Sequence, residues 1–261
     1  SGAVNVRNNS IINIGAAAAS PAAAPGTLNA AGVSLLGSAS TINFNHTSSN
    51  YIFAPSITQI GTVNFLSGKT ILAGNNTFTG TTTIAAGATA QIGNGGNTHI
   101  INGAIANNGL LIFRTSSNEI YGSIISGNGG FEQQGQGLNS TITFTNNNTY
   151  TGGTTITSGT LKLGNGGTTG SVLGDIVNNS HLSFDRSDSF TFSNLISGTG
   201  DIDKRGAGIL TLGSAQTYTG GTSVSQGTLR LGGNDRLVST GGLFIFGGAT
   251  FDLNNFSQTV G

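Results

Sequence analysis

The chain repeats itself at a nearly fixed interval. The run GAIANNGLLIF at residues 103–113 returns as GDIVNNSHLSF at residues 174–184, and ISGNG at 125–129 returns as ISGTG at 196–200. The two offsets are identical, and each equals 71. Self-similarity at a fixed period is typical of solenoids, in which each unit buries its apolar face by stacking on its neighbours. We therefore expect one continuous rod instead of one or two globular domains.

A second recurring motif extends the repeat along the chain. Its three copies read NTFTGTTTIAAGATAQIG, NTYTGGTTITSGTLKLG and QTYTGGTSVSQGTLRLG, and they begin at residues 76, 148 and 216. The successive starts are therefore offset by 72 and 68. A looser copy begins with INFNH at 42–46, and FDLNN at 251–255 is similar to a truncated fourth. The periodic part of the chain is therefore expected to run from Ile42 to Gly261.

The composition favours strands over helices. The chain has 44 Gly, only 7% charged residues and no Cys, Met or Trp, and Gly, Asn, Thr and Ser are disfavoured in helix interiors. Apolar and polar residues alternate in short runs such as Leu182-Ser183-Phe184, which predicts strands of about three to five residues. Zero net charge and 36% apolar content differ from the composition of disordered chains.

These features predict an all-β fold, a right-handed single-stranded parallel β-helix. Dividing the 71-residue unit into three coils gives about 23 residues per coil and about ten coils for the periodic part. We expect equivalent interior residues such as Phe113 and Phe184 to stack at intervals of three coils. Period-two alternation predicts that Leu161 and Leu163 are buried and that Lys162 points outward.

Asparagine pairs mark candidate corners of the coils. Asn107-Asn108 and Asn178-Asn179 lie at equivalent places one unit apart. Asn tolerates the left-handed backbone conformation, and its side-chain amide can satisfy backbone groups of a turn. We expect both properties to be used at these positions.

The chain is predicted to divide at the start of the periodic part. Residues 1–41 would form one or more N-terminal coils, and residues 42–261 a continuous β-helix of about 71-residue, three-coil repeats. Within the first part, residues 15–39 form an Ala-rich excursion that holds Pro21 and Pro25 and lacks the strand alternation of the rest. This excursion is either a protruding recognition loop, an ordinary long turn, or a short helical cap over the first coil.

The repeats carry a family resemblance. The motif NTYTGGTTITSGTLKLG and the tail GGATFDLNNFSQTVG, residues 247–261, resemble the passenger-associated transport repeats of bacterial autotransporters, the type V secreted proteins of Gram-negative cells. The resemblance implies a passenger β-helix that is threaded through an outer-membrane barrel and displayed on the cell surface or secreted. It also implies that the fragment itself does not span a membrane, and that a β-barrel elsewhere in the full protein anchors it.

Other features of the chain agree with export from the cell. No Cys is present, and stray thiols would crosslink a chain that must stay unfolded during export. No run approaches the roughly 20 apolar residues of a membrane span, and no signal peptide precedes Ser1. The chain is therefore expected to be a mature fragment without its targeting and anchoring parts.

Parallel β-helices also host polysaccharide lyases and hydrolases, which use clustered carboxylates. The densest acidic group is Asp185, Asp188, Asp201 and Asp203. Asp201 and Asp203 are two residues apart and should share one strand face. Three cations lie among these acids: Arg186, Lys204 and Arg205. We expect a charge-compensated, solvated face, with no catalytic activity and no calcium requirement.

Other chemistry-bearing motifs are weak. His46, His99 and His181 are dispersed without a second His or Cys at metal-ligand spacing. The Gly-rich runs GNGG at 93–96 and 164–167 lack the following helix and Lys of a phosphate loop and predict turns. No GxSxG nucleophile motif occurs. We therefore predict no catalytic residue, no metal ligand and no cofactor site.

Three classes of function remain open. The first is a surface adhesin or cell–cell self-association module, because long flanks rich in Asn, Thr and Ser offer many hydrogen-bonding groups without a small-ligand cleft. Its partner would be a host surface protein or glycan, or another copy of the chain. The second is a structural stalk or export-folding segment, and the third a carbohydrate-active enzyme on the same fold. Nucleic acid is excluded as a partner because the nine basic residues are scattered.

Overall fold

The fold is built almost entirely from short strands. A computed structural model describes residues 2–7, 9–96, 101–137 and 140–260, and these residues form 28 strands and no helix. In chain order the strands are β1 Val4–Val6, β2 Ile11–Gly15, β3 Gly32–Leu35, β4 Thr41–Asn45, β5 Tyr51–Phe53, β6 Ser56–Gln59, β7 Thr62–Ser67, β8 Lys69–Leu72, β9 Thr82–Ile84, β10 Thr89–Ile92, β11 Ile105–Asn107, β12 Leu110–Phe113, β13 Glu119–Tyr121, β14 Ile125–Ser126, β15 Gly130–Gln134, β16 Thr141–Phe144, β17 Thr154–Ser158, β18 Thr160–Leu163, β19 Ile176–Asn178, β20 His181–Phe184, β21 Ser189–Phe192, β22 Ile196–Ser197, β23 Asp201–Lys204, β24 Ile209–Leu212, β25 Thr222–Val224, β26 Thr228–Leu231, β27 Leu243–Ile245 and β28 Thr250–Asp252.

All strand pairs are parallel, and they assemble five sheets. Sheet I is β1-β3-β6, sheet II is β14-β11-β9-β7-β4-β2, and sheet III is β22-β19-β17-β15-β12-β10-β8-β5. Sheet IV is β13-β16-β18-β20-β23-β25-β27, and sheet V is β21-β24-β26-β28. Parallel neighbours need a crossover, which here is one full coil of the chain.

The five sheets make three faces of one solenoid. The chain passes β5 of sheet III, β6 of sheet I and β7 of sheet II in turn, and later β12 of sheet III, β13 of sheet IV and β14 of sheet II. Sheets I and IV therefore take the same place in the rotation. Strand β21 of sheet V falls between β20 of sheet IV and β22 of sheet III, which is the place that sheet II takes earlier. The predicted parallel β-helix is confirmed.

The interior is a dry stack of aliphatic and aromatic side chains. Leu161 and Leu163 are fully buried, as the alternation predicts. Phe44 stacks on Phe65 with ring centroids 5.2 Å apart. Because the strands are in register, inward side chains of neighbouring coils lie next to one another in one core cluster, and burial of this apolar surface is the main stabilising term.

One prediction about the core is wrong. Phe113 lies in sheet III, where it pairs with Ile92, whereas Phe184 lies in sheet IV, where it pairs with Leu163. The two residues therefore belong to different faces and do not stack. The physical reason is the length of a coil, which is shorter than one third of the repeat.

The strand register gives the true length of a coil. Successive pairs in sheet III join Leu110 to Gly130, Phe131 to Thr154, Thr154 to Ile176 and Ile176 to Ile196. A coil along this face therefore takes about 21 residues, below the 23 or so that a three-coil unit requires. A 71-residue unit then completes about three and one third coils, and this extra fraction turns each repeat onto the next face.

The corner asparagines use their side-chain amides to satisfy backbone groups of the turn, as predicted. Asn107 accepts a hydrogen bond from the backbone N–H of Gly109 at 3.2 Å and donates to the carbonyl of Gly130 at 2.8 Å. Asn178 repeats this arrangement one unit later. The expected left-handed backbone is found instead at Gly127, one coil further on, with φ of 103°. A side chain there would meet the Asn107 carbonyl oxygen at 2.2 Å, so the close approach requires Gly.

The Ala- and Pro-rich residues 15–39 contain a strand that the sequence alternation does not reveal. Strand β3 pairs with β1 and β6, so the coil stack includes the N-terminal part of the chain. The remainder packs against the rod, because the Asn45 side chain donates to the carbonyls of Ala17 and Ser20 at 2.9 and 2.8 Å. The Tyr51 hydroxyl likewise donates to the Gly26 carbonyl at 3.0 Å.

Candidate functional site

A groove of about 440 Å³ lies on the outer face of sheet IV. One column of outward side chains is set by the strand register, which aligns Ile120, Thr143, Lys162 and Ser183. With strands about 4.8 Å apart, the column from Ile120 to Ser183 extends about 14 Å along the rod. The groove therefore runs parallel to the solenoid axis. We call it the sheet IV groove.

A second column supplies further polar groups to the same groove. The register aligns Thr141, Thr160 and His181 two residues away from the first column. The intervening positions of these strands point into the core, as Leu161 and Leu182 do. Since the same face carries two adjacent columns of mainly Thr, Ser, Lys and His side chains, its floor is rich in hydroxyl groups that both donate and accept hydrogen bonds.

The ends of the sheet IV groove differ in charge. Glu119 lies at one end and accepts a hydrogen bond from the Ser117 hydroxyl at 2.7 Å. Arg205 lies at the other end, where its Nε donates to Asp203 at 2.5 Å and its side chain stays 60% exposed. In the described part of the chain, the terminal guanidinium nitrogens of Arg205 have no acceptor, so they face the groove with unused donors.

Basic side chains contact the four acidic residues that the sequence singles out. Their pairs are Asp185 with Lys162 at 2.9 Å, Asp188 with Arg186 at 2.7 Å, Asp201 with His181 at 2.8 Å, and Asp203 with Arg205 at 2.5 Å. Hydrogen bonding to Arg186 lowers the pKa of Asp188 below its ordinary value. Asp201 and Asp203 both point outward from β23, as their two-residue spacing predicts. The group is paired with basic side chains, which agrees with a compensated face, but the expectation of a solvated face is wrong for Asp203 and Arg186, which are buried.

Lys204 does not belong to that face, contrary to expectation. It pairs with Phe184 and Val224, residues whose side chains point inward, and it is itself buried. Its amine donates to the backbone carbonyls of Gly206 and Gln226. Burial lowers the pKa of Lys204, while the nearby Asp185 and Asp203 oppose that shift. The alternation that sends Asp203 outward therefore sends its neighbour into the core.

One hydroxyl on the floor of the groove is unsatisfied. The Ser183 side chain is buried, and its Oγ has no hydrogen-bond partner among the residues that the structure describes. Leaving a buried hydroxyl unpaired costs about 1–3 kcal/mol. Such a group is unusual in a folded protein and is expected to meet a water molecule or a ligand hydroxyl.

The remaining sequence candidates do not converge on a site. His46 is buried, with its Nε2 at 2.8 Å from Thr70 Oγ1, and His181 lies in the sheet IV groove. His99 lies outside the described residues. Within the described ranges, no three His, Cys, Asp or Glu side chains are grouped as metal ligands would be. The two GNGG runs are turns, as predicted.

The sheet IV groove was not foreseen, since a packed solenoid was expected to lack a cleft. It lies where the small side chains of Thr143 and Ser183 flank the long side chain of Lys162 in one column, with Asp203 next in register and Arg205 just after the end of β23. This pattern becomes visible only when the strands are aligned at their true coil spacing. Side chains one coil apart in the sequence then lie side by side.

A second polar feature lies on the outer face of sheet II. The Asn43 amide donates to the Asn13 side-chain oxygen at 2.9 Å, and the Asn64 amide donates to Asn43 at 2.9 Å. The three side chains form a ladder along the axis of the rod. Because each amide satisfies its neighbour, much of the hydrogen-bonding capacity of this face is already used.

Comparison with known proteins bears on the recurring motif. The family described as passenger-associated-transport-repeat matches residues 67–89, 139–163 and 202–231. These segments include residues 76–89 of the first copy of the second motif and all but the last residue of the other two copies. No solved structure matches the chain. Among the described residues, no helical segment has the length and hydropathy of a transmembrane helix.

A curated relative is similar over part of the chain. The adhesin BmaC autotransporter of Brucella suis biovar 1 (strain 1330) is 44% identical over 100 residues. The alignment covers 38% of this chain and 3% of the relative, so the chain corresponds to a small part of that protein. Three repeat matches, this relative and the stacked parallel coils agree with one another. The chain therefore carries three passenger-associated transport repeats on a parallel β-helix and is similar over part of its length to an autotransporter adhesin, which supports an autotransporter passenger domain.

Proposed function

We propose that this passenger segment acts in attachment at the bacterial surface, as an adhesin or a cell–cell self-association module, through an outer flank of the rod. In this role it is displayed on a Gram-negative cell or released from it. The similarity to a protein named as an adhesin supports attachment. The partner is a host surface protein or glycan, or a second copy of the chain.

The observation that carries this proposal is the sheet IV groove. It combines a hydroxyl-lined floor with an exposed guanidinium at Arg205 and an unsatisfied hydroxyl at Ser183. A concave surface with a few convergent polar groups is typical of a binding site. The asparagine ladder on sheet II, in contrast, uses its donors and acceptors internally.

The charges of this flank support binding without catalysis. Glycoside hydrolysis needs two carboxylic groups that act as acid and as base or nucleophile. Here Asp185 pairs with Lys162, Asp203 pairs with Arg205, and Asp201 lies 2.8 Å from His181 Nδ1. These three carboxylates are engaged by neighbouring side chains, which does not suit the acid and base pair of a glycoside hydrolase.

A structural stalk or export-folding segment is the second candidate. The aromatic residues of the recurring motif, Phe78, Tyr150 and Tyr218, are fully buried. The Tyr150 hydroxyl lies 2.6 Å from Thr154 Oγ1, and Tyr218 repeats this contact with Thr222 at 2.5 Å. The residues of the recurring motif therefore build the interior of the rod, which suits a role in coil formation. The outer faces are left free to differ between repeats.

Surface display separates the two candidates. A non-adherent, non-aggregating bacterium would display the chain, and its adhesion to host cells and its settling rate would be measured. A groove-filling variant, Thr160→Trp, is expected to reduce the gained adhesion or settling. Thr228→Trp is the matched control, because Thr228 is the repeat equivalent of Thr160 on sheet V. Display of the unchanged chain without any gain in adhesion or settling would contradict attachment and favour the stalk.

A further inference from the structure

We infer that the sheet IV groove binds a short oligosaccharide that carries one acidic group, with the sugar hydroxyls over the Thr and Ser floor and the acid at Arg205. This inference rests on the proposed role in attachment and names the ligand class of the same groove. It is carried by the shape, the hydrogen-bonding groups and the charges of the groove.

The shape favours an elongated ligand. The groove follows the rod axis for about 14 Å between Ile120 and Ser183, and Arg205 extends from the next strand of the sheet. Its volume of about 440 Å³ lies in the range of ordinary ligand sites. A ligand in this groove contacts side chains from at least four successive coils.

The floor favours a ligand with many hydroxyl groups. Thr141, Thr143 and Thr160 each bring a hydroxyl that can act as donor or acceptor, and Ser183 adds a buried hydroxyl without a partner. A sugar presents hydroxyls of the same dual character at short, regular intervals. Ile120, an exposed apolar side chain at the Glu119 end, offers a surface for the apolar face of a sugar ring.

The charges favour a single acidic group at one end. The guanidinium of Arg205 keeps its terminal nitrogens available while Nε is bound to Asp203, and a planar guanidinium matches a carboxylate in geometry. Lys162 contributes a second positive charge, although Asp185 and Asn165 already accept from it. Glu119 at the opposite end is itself acidic, so the groove offers no second basic group there for a further acidic group of the ligand.

The backbone disfavours an extended peptide. A peptide that adds to a sheet pairs with an open edge strand. The strands under the centre of the groove, β16, β18 and β20, are each paired on both sides, so their backbone groups are taken. A partner lying in the groove must therefore be recognised through side chains, which suits a glycan better than a peptide strand.

Binding of the purified chain to a broad glycan array, followed by calorimetry, tests the inference. We expect capture of oligosaccharides with one carboxylate, for which 3′-sialyllactose is the acidic probe and globotriose a neutral trisaccharide of similar size. Arg205→Ala should weaken the acidic probe by about tenfold or more and leave neutral oligosaccharides nearly unchanged. Arg205→Lys should recover only part of that loss, because Lys offers charge without the planar fork.

Two further variants separate binding from folding. Ser183→Ala removes a hydroxyl without a protein partner, so it should leave the melting temperature unchanged or higher and still weaken glycan binding. Arg230→Ala is the matched control, since Arg230 is also ion-paired on an outer face, with Asp252 at 2.8 Å, but lies on sheet V. Arg230→Ala should bind as the unchanged chain does.

Several results would overturn the inference. These are capture of no oligosaccharide on the array, equal effects of Arg205→Ala and Arg230→Ala, and affinity that rises steadily with the number of acidic groups. Capture of peptides or of a second copy of the chain in place of glycans would also overturn it. If cells that display the chain adhere while the purified chain captures no glycan, the inference fails and attachment stands. If neither occurs, both fail.

Discussion

The guanidinium carbon of Arg186 lies 4.4 Å from the centroid of the Phe190 ring. The same guanidinium donates to both carboxylate oxygens of Asp188, at 2.9 and 2.7 Å, and to the carbonyls of Thr168 and Gly170. Arg186 is nearly buried, and it thereby links the turn before β19, which contains Thr168 and Gly170, to strand β21, which contains Phe190. A buried charge with this many partners is costly to remove, because its partners stay behind unsatisfied.

We expect Arg186→Ala to destabilise the rod by about 3 kcal/mol, since it removes a cation–π contact and several charge-assisted hydrogen bonds. Chemical denaturation of the purified chain measures this. Arg230→Ala, which breaks a more exposed ion pair, should cost less than about 1 kcal/mol. Equal losses of unfolding free energy in the two variants would mean that the contacts of Arg186 do not stabilise the rod more than an exposed ion pair does.

Replacement of Leu163 by Asp should cost more than about 4 kcal/mol, because an unpaired charge enters a fully buried position. Lys162→Ala should cost about 0.5–1 kcal/mol, since the Lys162 side chain is only 21% exposed and its ion pair with Asp185 is lost. Thermal melts followed by circular dichroism compare the two. Similar melting temperatures would show that the assigned strand register is incorrect.

The glycine corners predict a sharp contrast between two substitutions. In Gly129→Ala the added carbon meets the Gly109 carbonyl oxygen at 2.2 Å and Asn107 Oδ1 at 2.6 Å, so the coils must separate. We expect a loss of about 2–3 kcal/mol. Gly167→Ala has no atom within 4 Å and should change stability by less than about 0.5 kcal/mol. A neutral Gly129→Ala in a denaturation curve would contradict close stacking at this corner.

The buried His46 predicts a loss of stability in mild acid. Burial lowers its pKa below the ordinary 6.5, so the unfolded chain binds the proton more readily than the folded chain does. Stability is therefore present above pH 6.5 and declines as the pH falls through that value toward the lower folded pKa. Melting temperatures at pH 7.5 and 5 should differ more for the unchanged chain than for His46→Gln. Parallel pH profiles in the two would exclude this origin.

Local features of the fold could be read from the sequence. The burial of Leu161 and Leu163 follows from an alternation that spans three residues, and the corner role of Asn107 follows from a turn of the same size. Such features depend on neighbours along the chain. Strand periodicity records them directly.

Features that depend on the coil length could not be read in the same way. Phe113 and Phe184 are equivalent in sequence, yet the 71-residue unit contains a fraction of a coil that moves them to different sheets. The inward position of Lys204 was missed because charge suggests exposure, whereas its register with Phe184 decides its direction. The sheet IV groove is lined by side chains from several coils. A small error in the predicted coil length would place these side chains on different faces of the rod, so the groove could not be predicted.

The fractional coil in each repeat limits the valency of the rod. Since each unit advances the surface by one face, copies of an outer motif wind around the axis and return to the same side only after three units. Lys162 on sheet IV and its counterpart Arg230 on sheet V therefore face different directions. A flat partner, such as a membrane or a neighbouring rod, therefore meets one copy of the motif in three. One additional unit lengthens the rod and its core but does not add a second contact on that side.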